Sequence, residues 1–413
     1  MGARETVELT GHLMDSGILS RVLDDIRDYG GDYVIDRFDV GHDATDASSA
    51  RITVHAEDDA SLQRLLMRLQ ARGVNQLDPG EAVVDTATQD GVLPDGFYAT
   101  TDLVTSVRLG DTWHDVENPE MDCGLVVDAS SGRTRVRTVP MSEVRAGMRI
   151  VVGATGIRVS LPEAELSGPA ATLGGGDTAD RPQAVVVRQV ADDMRRAQDD
   201  GKRLLWVVGS GVVHTGAVPA MVALIEAGFV DVLFAGNAFA SHDIGVGLGG
   251  AATALARSDL SAQAGEHGHE HHVRALNTVR KVGSIAGAVA DGLVTSGIMH
   301  ALVTHDRRFV LVGSVRDDGP LPDVHTDVVE GQRAMRAEVH DVGYCLMMAT
   351  RLHSLATGSI LPASVPIVCV DRDPATVTRI TDRGASRGRG VVTDVGLFLE
   401  RLALELVPDH RRG

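Results

Sequence analysis

In Val232-Leu233-Phe234-Ala235-Gly236-Asn237-Ala238-Phe239-Ala240-Ser241-His242-Asp243, an apolar, strand-like run breaks at Gly236-Asn237 and is followed by His242-Asp243. Upstream, the apolar run Leu204–Val208 ends in Gly209-Ser210-Gly211 in the same way. In an open parallel sheet, ligands bind in the crevice outside the carboxyl ends of the strands. Two such strand ends in tandem predict a site for a phosphate-bearing cofactor.

The C-terminal half repeats this alternation of strand and helix. Apolar runs predict strands at 204–208, 230–235, 309–313, 366–370 and 390–393, and the longest helices are predicted around 273–290 and 327–356. Parallel strands separated by helices form a sheet that is covered on both faces. The aromatic content of only 3% suits such a core, which is built from Val, Leu, Ile and Ala. We therefore predict an α/β fold with a doubly wound, Rossmann-like domain over 184–413.

The N-terminal part has a different pattern. Residues 1–90 read as strand, helix, strand, strand and helix, at 6–9, 18–29, 33–38, 50–55 and 61–72. The order β-α-β-β-α-β is that of a ferredoxin-like domain. Residues 91–167 are rich in strand-like runs and predict a small second subdomain, and the glycine-rich stretch 168–183 predicts a linker.

Length, charge and cysteine usage limit the function. A chain of 413 residues is expected to form two or three domains. The formal net charge of -18 disfavours binding to nucleic acid or to anionic lipid. Cys123, Cys345 and Cys369 show no pairing pattern and indicate a reducing compartment. We expect a cytoplasmic protein with no nucleic-acid or membrane partner.

The strand ends supply the candidate cofactor ligands. Gly209-Ser210-Gly211 begins a G-x-G-x-x-G fingerprint whose third glycine is replaced by His214, so it either holds a pyrophosphate or is a plain tight turn. Asp371, at the end of a strand, suits a ribose hydroxyl pair. Helix capping is the alternative for Asp371 and Asp394, and it is the role we predict for Asp373. The predicted cofactor-binding residues are Gly209, Ser210, Gly211, Ala235, Gly236, Asn237, Gly313, Ser314, Asp371, Thr393 and Asp394.

One cluster of residues invites a metal interpretation. His267, His269, His271 and His272 lie in an acidic stretch that has no nearby cysteine and no fixed spacing on regular structure. We predict no metal site. The chain also has neither a P-loop nor a Gly-x-Ser-x-Gly elbow, which leaves phosphoryl transfer and serine hydrolysis unsupported.

Longer blocks of the sequence resemble known families. Gly11–Leu19, Phe97–Asp102 and Trp113–Asp122 resemble the conserved domain named after bifunctional lysine-oxoglutarate reductase/saccharopine dehydrogenase. The C-terminal half resembles the archaeal-type ornithine cyclodeaminases, and the C-terminal module of bifunctional arginine dihydrolase/ornithine cyclodeaminases, at 235–244, 274–278, 313–323 and 369–371. The resemblance covers nearly the whole chain. It implies a nucleotide domain of deoxyhypusine-synthase-like type.

The resemblance also implies a reaction, that of a lyase in proline formation and ornithine catabolism. Bound NAD would take a hydride from the α-carbon of L-ornithine, and the cyclic imine left after loss of ammonia would regain it to give L-proline. Such chemistry needs a carboxylate binder and a proton carrier. The predicted catalytic residues are Asp243 and His242 for proton transfer, Asp122 and Asn118 in the strand-rich subdomain, which we expect to close over the cofactor, and Arg316 for the carboxylate.

Alternatives remain open for these residues and for the function. His242 could have a capping or packing role, and Asp122 could simply begin a strand. Arg158 is a second candidate for the carboxylate, and either Arg316 or Arg158 could instead be a surface charge. A saccharopine-type or other amino-acid dehydrogenase would consume NAD, and a non-catalytic module would only sense nucleotide or amino acid. The long helices rich in small residues favour a homo-oligomer.

Overall fold

The computed structural model describes residues 2–11, 13, 17–41, 46–129, 133–161, 183–248, 276–317, 319–383, 388–407 and 409–410. They form two units, the first made of Met1–Leu173 with Ser359–Ser364 and the second of Gly174–Gly358 with Val365–Gly413. The histidine cluster at 267–272 and all but the last residue of the predicted linker 168–183 lie outside the described residues.

The first unit begins with a four-stranded antiparallel sheet. Its elements are β1 (Ala3–Gly11), α1 (Ile18–Asp28), β2 (Asp32–Asp39), β3 (Ser48–Ala56), α2 (Asp59–Gln70) and β4 (Asn75–Gln76), with the strand order β2-β3-β1-β4. Alternate residues of β1 and β3 are apolar and buried, and they share one core with the apolar faces of α1 and α2. The predicted ferredoxin-like fold is confirmed.

A seven-stranded sheet completes the first unit. Its strands are β5 (Val83–Thr86), β6 (Val104–Leu109), β7 (Thr112–Glu117), β8 (Gly124–Asp128), β9 (Arg135–Val139), β10 (Arg149–Val152) and β11 (Ile157–Ser160), in the order β11-β6-β7-β9-β8-β10-β5. A residue from far along the chain enters its core, because Ala363 is buried there and its N–H donates to Asp102 O at 2.7 Å. Met121 N–H likewise donates to Ser359 O at 3.0 Å.

The second unit contains a seven-stranded parallel sheet. Its strands are β12 (Arg203–Val208), β13 (Val232–Gly236), β14 (Arg308–Val312), β15 (Val324–His325), β16 (Val342–Met348), β17 (Ile367–Asp371) and β18 (Gly388–Val392), in the order β15-β14-β13-β12-β16-β17-β18. The described helices of this unit are α3 (Gln183–Asp199), α4 (Gly211–His214), α5 (Val218–Glu226), α6 (Asn237–Leu248), α7 (Ile285–Ala290), α8 (Ile298–Thr304), α9 (Val328–Glu338), α10 (Leu352–Ile360), α11 (Pro374–Arg383) and α12 (Val395–Leu406).

The order of six of these strands is that of a Rossmann fold. Numbered along the chain, β12, β13, β14, β16, β17 and β18 lie in the order 3-2-1-4-5-6, and the connections reverse direction between β12 and β16. The strands are almost wholly apolar because helices cover both faces. Trp206 and Phe234 are fully buried in this sheet. The predicted doubly wound fold is confirmed.

The two longest predicted helices, at 273–290 and 327–356, are each interrupted, and residues 273–275 lie outside the described residues. Residues 327–356 form α9, the strand β16 and α10, and β16 is the strand that pairs with β12 at the centre of the sheet. Val342–Met348 is apolar throughout, so it shows no period of two, and a short run of this kind resembles a buried helix segment. Residues 276–282 are helical, but Gly283 then takes a φ of 97° and Ser284 caps α7 by accepting from Gly287 N.

Candidate functional site at the carboxyl edge of the parallel sheet

The turn after β12 lies at the point where the strand order reverses. Gly209 N–H donates to Met348 O at 2.9 Å, so this turn is bonded to the end of β16. A Cβ added to Gly209 would lie 2.0 Å from the carbonyl oxygen of Ala349, and one added to Gly211 would lie 2.7 Å from Ala349 Cβ. Ala349 itself has a φ of 51°, which is unusual for alanine. The two glycines are therefore needed for two strand ends to meet.

The same turn offers donors for an anion. The N–H groups of Ser210 and Gly211 bond to no acceptor in the described part of the chain, whereas those of Val212 and Val213 bond back to Gly209 O and Ser210 O. Successive backbone N–H groups that point out of a turn favour a phosphate. These two groups fit the pyrophosphate of a dinucleotide, at the position where Rossmann folds bind it.

His214, at the third glycine position of the fingerprint, packs against a second histidine, His242. His214 is exposed and ends α4, which is a single turn, and its ring meets that of His242 edge to face with 4.8 Å between the centroids. The helix that would continue from a complete fingerprint is interrupted here and resumes as α5. The structure thus places His242, a predicted proton carrier, beside the fingerprint turn.

Asn237, at the end of β13, organises the loop after β14. Its side chain is buried, with Nδ2 donating to Asp317 Oδ1 at 3.0 Å and Oδ1 accepting from Leu321 N at 3.0 Å. The other oxygen of Asp317 accepts from Ser314 N at 2.7 Å. The amide of Asn237 is therefore used by the protein, while Gly313 and Ser314 are held at the sheet edge. Arg316, two residues further on, is exposed.

His353, which the sequence analysis missed, lies at the same edge. It is the second residue of α10, its Nε2 lies 3.3 Å from Val312 O at the end of β14, and a Cβ on Gly236 would lie 3.0 Å from its Cε1. Burial lowers the pKa of His353. The residue follows the strand that was mistaken for helix, and this error removed it from the candidate strand ends.

Asp243 has contacts that favour a structural role over the predicted proton transfer. It is fully buried, and its two carboxylate oxygens accept from Ile298 N at 2.9 Å and Met299 N at 2.7 Å, at the start of α8. Burial raises the pKa of Asp243 to about 6. Because both oxygens are occupied by backbone donors, the carboxylate fixes α8 relative to α6.

The remaining predicted ligands end β17 and β18. Asp371 is half-buried, and its Oδ1 accepts from Asp373 N at 2.9 Å. Asp373 caps α11, as predicted, by accepting from Ala375 N. Asp394 caps α12 by accepting from Leu397 N at 3.0 Å, which is the alternative given for it above, and Thr393 Oγ1 accepts from Gln183. All these strand ends share one edge, because the sheet is parallel.

The other predicted catalytic residues belong to the first unit. Asn118 and Asp122 are exposed and have φ values of 46° and 60°, in a loop whose Glu120 is buried. Such backbone values in non-glycine residues often mark functional loops. Arg158 stacks over the ring of Trp113 at 4.2 Å on the seven-stranded sheet.

The described ranges contain no group of three or more His, Cys, Asp or Glu side chains arranged to hold a metal ion. Within those same ranges, no helix is both long and apolar enough to cross a membrane.

Comparison with known families assigns each part of the chain. Residues 4–103 match the LOR/SDH bifunctional enzyme conserved region. Residues 104–187 match the first region of the C-terminal part of arginine dihydrolase ArgZ-like proteins, and residues 188–402 match the Rossmann fold of that C-terminal part. The three matches together span nearly all of the chain.

Individual relatives agree with these matches. An ornithine cyclodeaminase of Methanothermobacter thermautotrophicus is 44% identical over 408 residues, which are 98% of each chain. The apo structure of ArgZ, a cyanobacterial arginine dihydrolase, has a TM-score of 0.83 at 31% identity and covers 98% of this chain. The ternary complex of AgrE with ornithine and NAD+ has a TM-score of 0.52 at 35% identity. This chain covers 58% of ArgZ and 58% of AgrE.

Proposed function

This chain belongs to the ArgZ-like family that carries an LOR/SDH conserved region, and we infer from that membership that it is an NAD-dependent ornithine cyclodeaminase. The net reaction converts L-ornithine into L-proline and ammonia. The support is the identity of 44% along the full length of an archaeal ornithine cyclodeaminase, together with the ornithine and NAD+ bound by AgrE. We do not transfer arginine dihydrolase activity, because the chain spans little more than half of the bifunctional enzymes.

The observation in the structure that carries the proposal is the turn Gly209-Ser210-Gly211. Two free backbone N–H groups at the reversal point of a Rossmann sheet fit a dinucleotide pyrophosphate. NAD held there by the N–H groups of Ser210 and Gly211 would supply a hydride acceptor and donor, so no outside oxidant would be needed. The protein's own part is to bind, orient and exclude water around the reacting carbon.

We propose the following roles for the other candidate residues. Ala235, Gly236, Gly313 and Ser314 line the cofactor side of the strand ends, and Asp371 binds a ribose. Arg316 pairs with the substrate carboxylate, because its guanidinium is exposed and makes no ion pair within the described ranges. Asn118 and Asp122 of the first unit are kept as candidate catalytic residues, and both side chains are exposed.

The test is turnover with a small amount of cofactor. Purified protein is incubated with L-ornithine and NAD at a concentration far below that of the substrate, and proline, ammonia and NADH are measured. Proline and ammonia in equal amounts, many times the amount of NAD, are expected. Accumulation of NADH in proportion to substrate would instead identify an amino-acid dehydrogenase, and cofactor binding without turnover would identify a sensing module.

We also propose that the protein is a cytoplasmic homo-oligomer. The support for a reducing compartment is that Cys123, Cys345 and Cys369 are all buried and form no disulfide in the described part of the chain. Light scattering coupled to size-exclusion chromatography measures the assembly directly. A mass of one chain would overturn the oligomer.

A further inference from the structure

His353 crosses the reversal point of the parallel sheet. It follows β16, yet a Cβ added to Gly236 at the end of β13 would lie 3.0 Å from its Cε1, and its Nε2 lies 3.3 Å from Val312 O at the end of β14. β12 lies between β16 and β13. A side chain that starts beyond β16 and reaches β13 must therefore pass over the carboxyl end of β12, where the Gly209-Ser210-Gly211 turn begins.

Gly236, which has no side chain, leaves the space that the His353 ring occupies. A Cβ on Gly236 would approach His353 Cε1 to 3.0 Å, which is tighter than ordinary carbon contacts. The nearby loop is also fixed, because Asn237 and Ser314 both bond to Asp317. The position of the ring is thus set by Gly236 at the end of β13 and by Val312 O at the end of β14, and not by the loop after β14.

The contact with Val312 O determines which nitrogen of the neutral His353 ring carries the hydrogen. A carbonyl oxygen only accepts, so Nε2 carries the hydrogen and donates it. Nδ1 has no hydrogen-bond partner in the described part of the chain, and in the neutral ring it has a free lone pair. Burial lowers the pKa of His353 more than the Val312 bond and the charge of Asp317 raise it, so the neutral form prevails near pH 7.

We propose that His353 Nδ1 is the proton carrier of the reaction, in place of Asp243 and His242. This inference rests on the proposed cyclodeaminase activity. Nδ1 takes a proton from the α-ammonium group of the substrate, which frees the nitrogen lone pair as the α-carbon gives its hydride to NAD. The neutral δ-amine then attacks the iminium carbon and closes the ring. The imidazolium returns its proton to the α-nitrogen, whose bond to carbon breaks as the cyclic imine forms, and the departing ammonia takes the surplus proton of the ring nitrogen as ammonium. The returned hydride reduces the cyclic imine to proline, so the His353 ring ends the cycle neutral. Asp243 is fully buried and each of its oxygens already accepts from a backbone donor, which makes it less suited to this task.

Two substitutions separate proton transfer from positioning. His353→Gln keeps an N–H that can donate to Val312 O but removes the basic nitrogen, whereas His353→Ala removes both. His305→Gln is the matched control, since His305 is exposed and precedes β14 at the opposite edge of the sheet. Each variant is measured for kcat, for KM of ornithine and, separately, for NAD affinity by fluorescence titration.

We expect His353→Gln to lower kcat about 100-fold or more, which is the usual contribution of a general base. NAD affinity should stay within about twofold, because no binding contact is lost. Added imidazole should restore part of the activity of His353→Ala, and the acidic limb of the pH profile should disappear in His353→Gln. His305→Gln should behave as wild type.

Two results would overturn the proposal. A His353→Gln enzyme with wild-type kcat excludes a proton carrier at this position. A loss of NAD affinity that matches the loss of kcat, without rescue by imidazole, assigns His353 to cofactor positioning alone. Both results require a wild-type enzyme that makes proline, so they differ from a failure of the proposed function, in which the wild type itself turns over no ornithine.

Discussion

Asp243 Oδ2 accepts a hydrogen bond of 2.7 Å from the backbone N–H of Met299, 56 residues later in the chain. Oδ1 accepts from the adjacent Ile298 N–H, so one carboxylate closes the first turn of α8. Helix starts prefer such negatively charged acceptors, and this one comes from another helix instead of from the preceding residue. A residue that the sequence places next to a candidate catalytic histidine therefore serves the packing of α6 and α8.

Asp243→Asn should destabilise the second unit. The amide can accept only one of the two bonds and turns a donor toward the other N–H, which costs about 2 kcal/mol. Because burial raises the pKa of Asp243 from 3.8 to about 6, its proton stabilises the fold fully below pH 3.8, and that stabilisation is lost as the pH rises through 6. The advantage of wild type over the variant should thus grow on acidification across this window. Urea unfolding of both proteins checks it, and a gap independent of pH would contradict it.

Gly209→Ala should damage both stability and cofactor binding. The new methyl would lie 2.0 Å from Ala349 O, a backbone atom that can move only with β16. Overpacking of this kind costs about 3 kcal/mol, and the N–H groups of Ser210 and Gly211 would move with the turn. Thermal unfolding and NAD titration measure the two effects. Gly358→Ala is the control, since nothing lies within 4 Å of its Cβ position and α10 should gain stability. Equal behaviour of the two variants would refute the close approach.

Asp371→Ala should weaken NAD binding about tenfold or more, the effect of losing a charged hydrogen bond to ribose. Asp373→Ala is a near-identical change two residues away, and it should cost about 1 kcal/mol of stability through loss of the α11 cap. Its NAD affinity should remain that of wild type. Calorimetric titration of both variants makes the comparison. Unchanged affinity in Asp371→Ala would remove the ribose role.

Asn237 and Asp317 should be energetically coupled. Asn237→Ala removes the partner of Asp317 Oδ1 and of Leu321 N–H, and Asp317→Ala frees the loop that holds Gly313 and Ser314. In a double-mutant cycle of unfolding free energies, the direct bond of 3.0 Å should give a coupling of about 1 kcal/mol. Purely additive effects would show that the bond contributes nothing to stability.

The sequence predicts those elements whose periodicity is local. The strands around Trp206 and Phe234 were predicted because glycine turns mark their carboxyl ends, and the ferredoxin-like part was predicted because its half-buried strands alternate. Val342–Met348 was missed because a strand buried on both faces has no alternation, and His353 was missed with it. The hydrogen bonds of Asp243 and Asn237 to residues 56 and 84 positions away leave no local pattern at all. The polar character of Asp243 and Asn237 correctly predicted that they lie at the carboxyl edge of the sheet. Their role there depends on hydrogen-bond partners that the local sequence does not reveal.

The core of the first unit holds Ala363, a residue of the segment Ser359–Ser364, and Asp102 O accepts its N–H at 2.7 Å. A gene fragment that stops at the glycine-rich stretch 168–183 would thus lack a residue of the core of the seven-stranded sheet. The complementary fragment would expose Ile360 and Leu361, two apolar residues that are buried in the intact chain. The two halves are therefore poor candidates for separate expression or for exchange between homologues, and any chimera has to carry that six-residue insert along with the front half it completes.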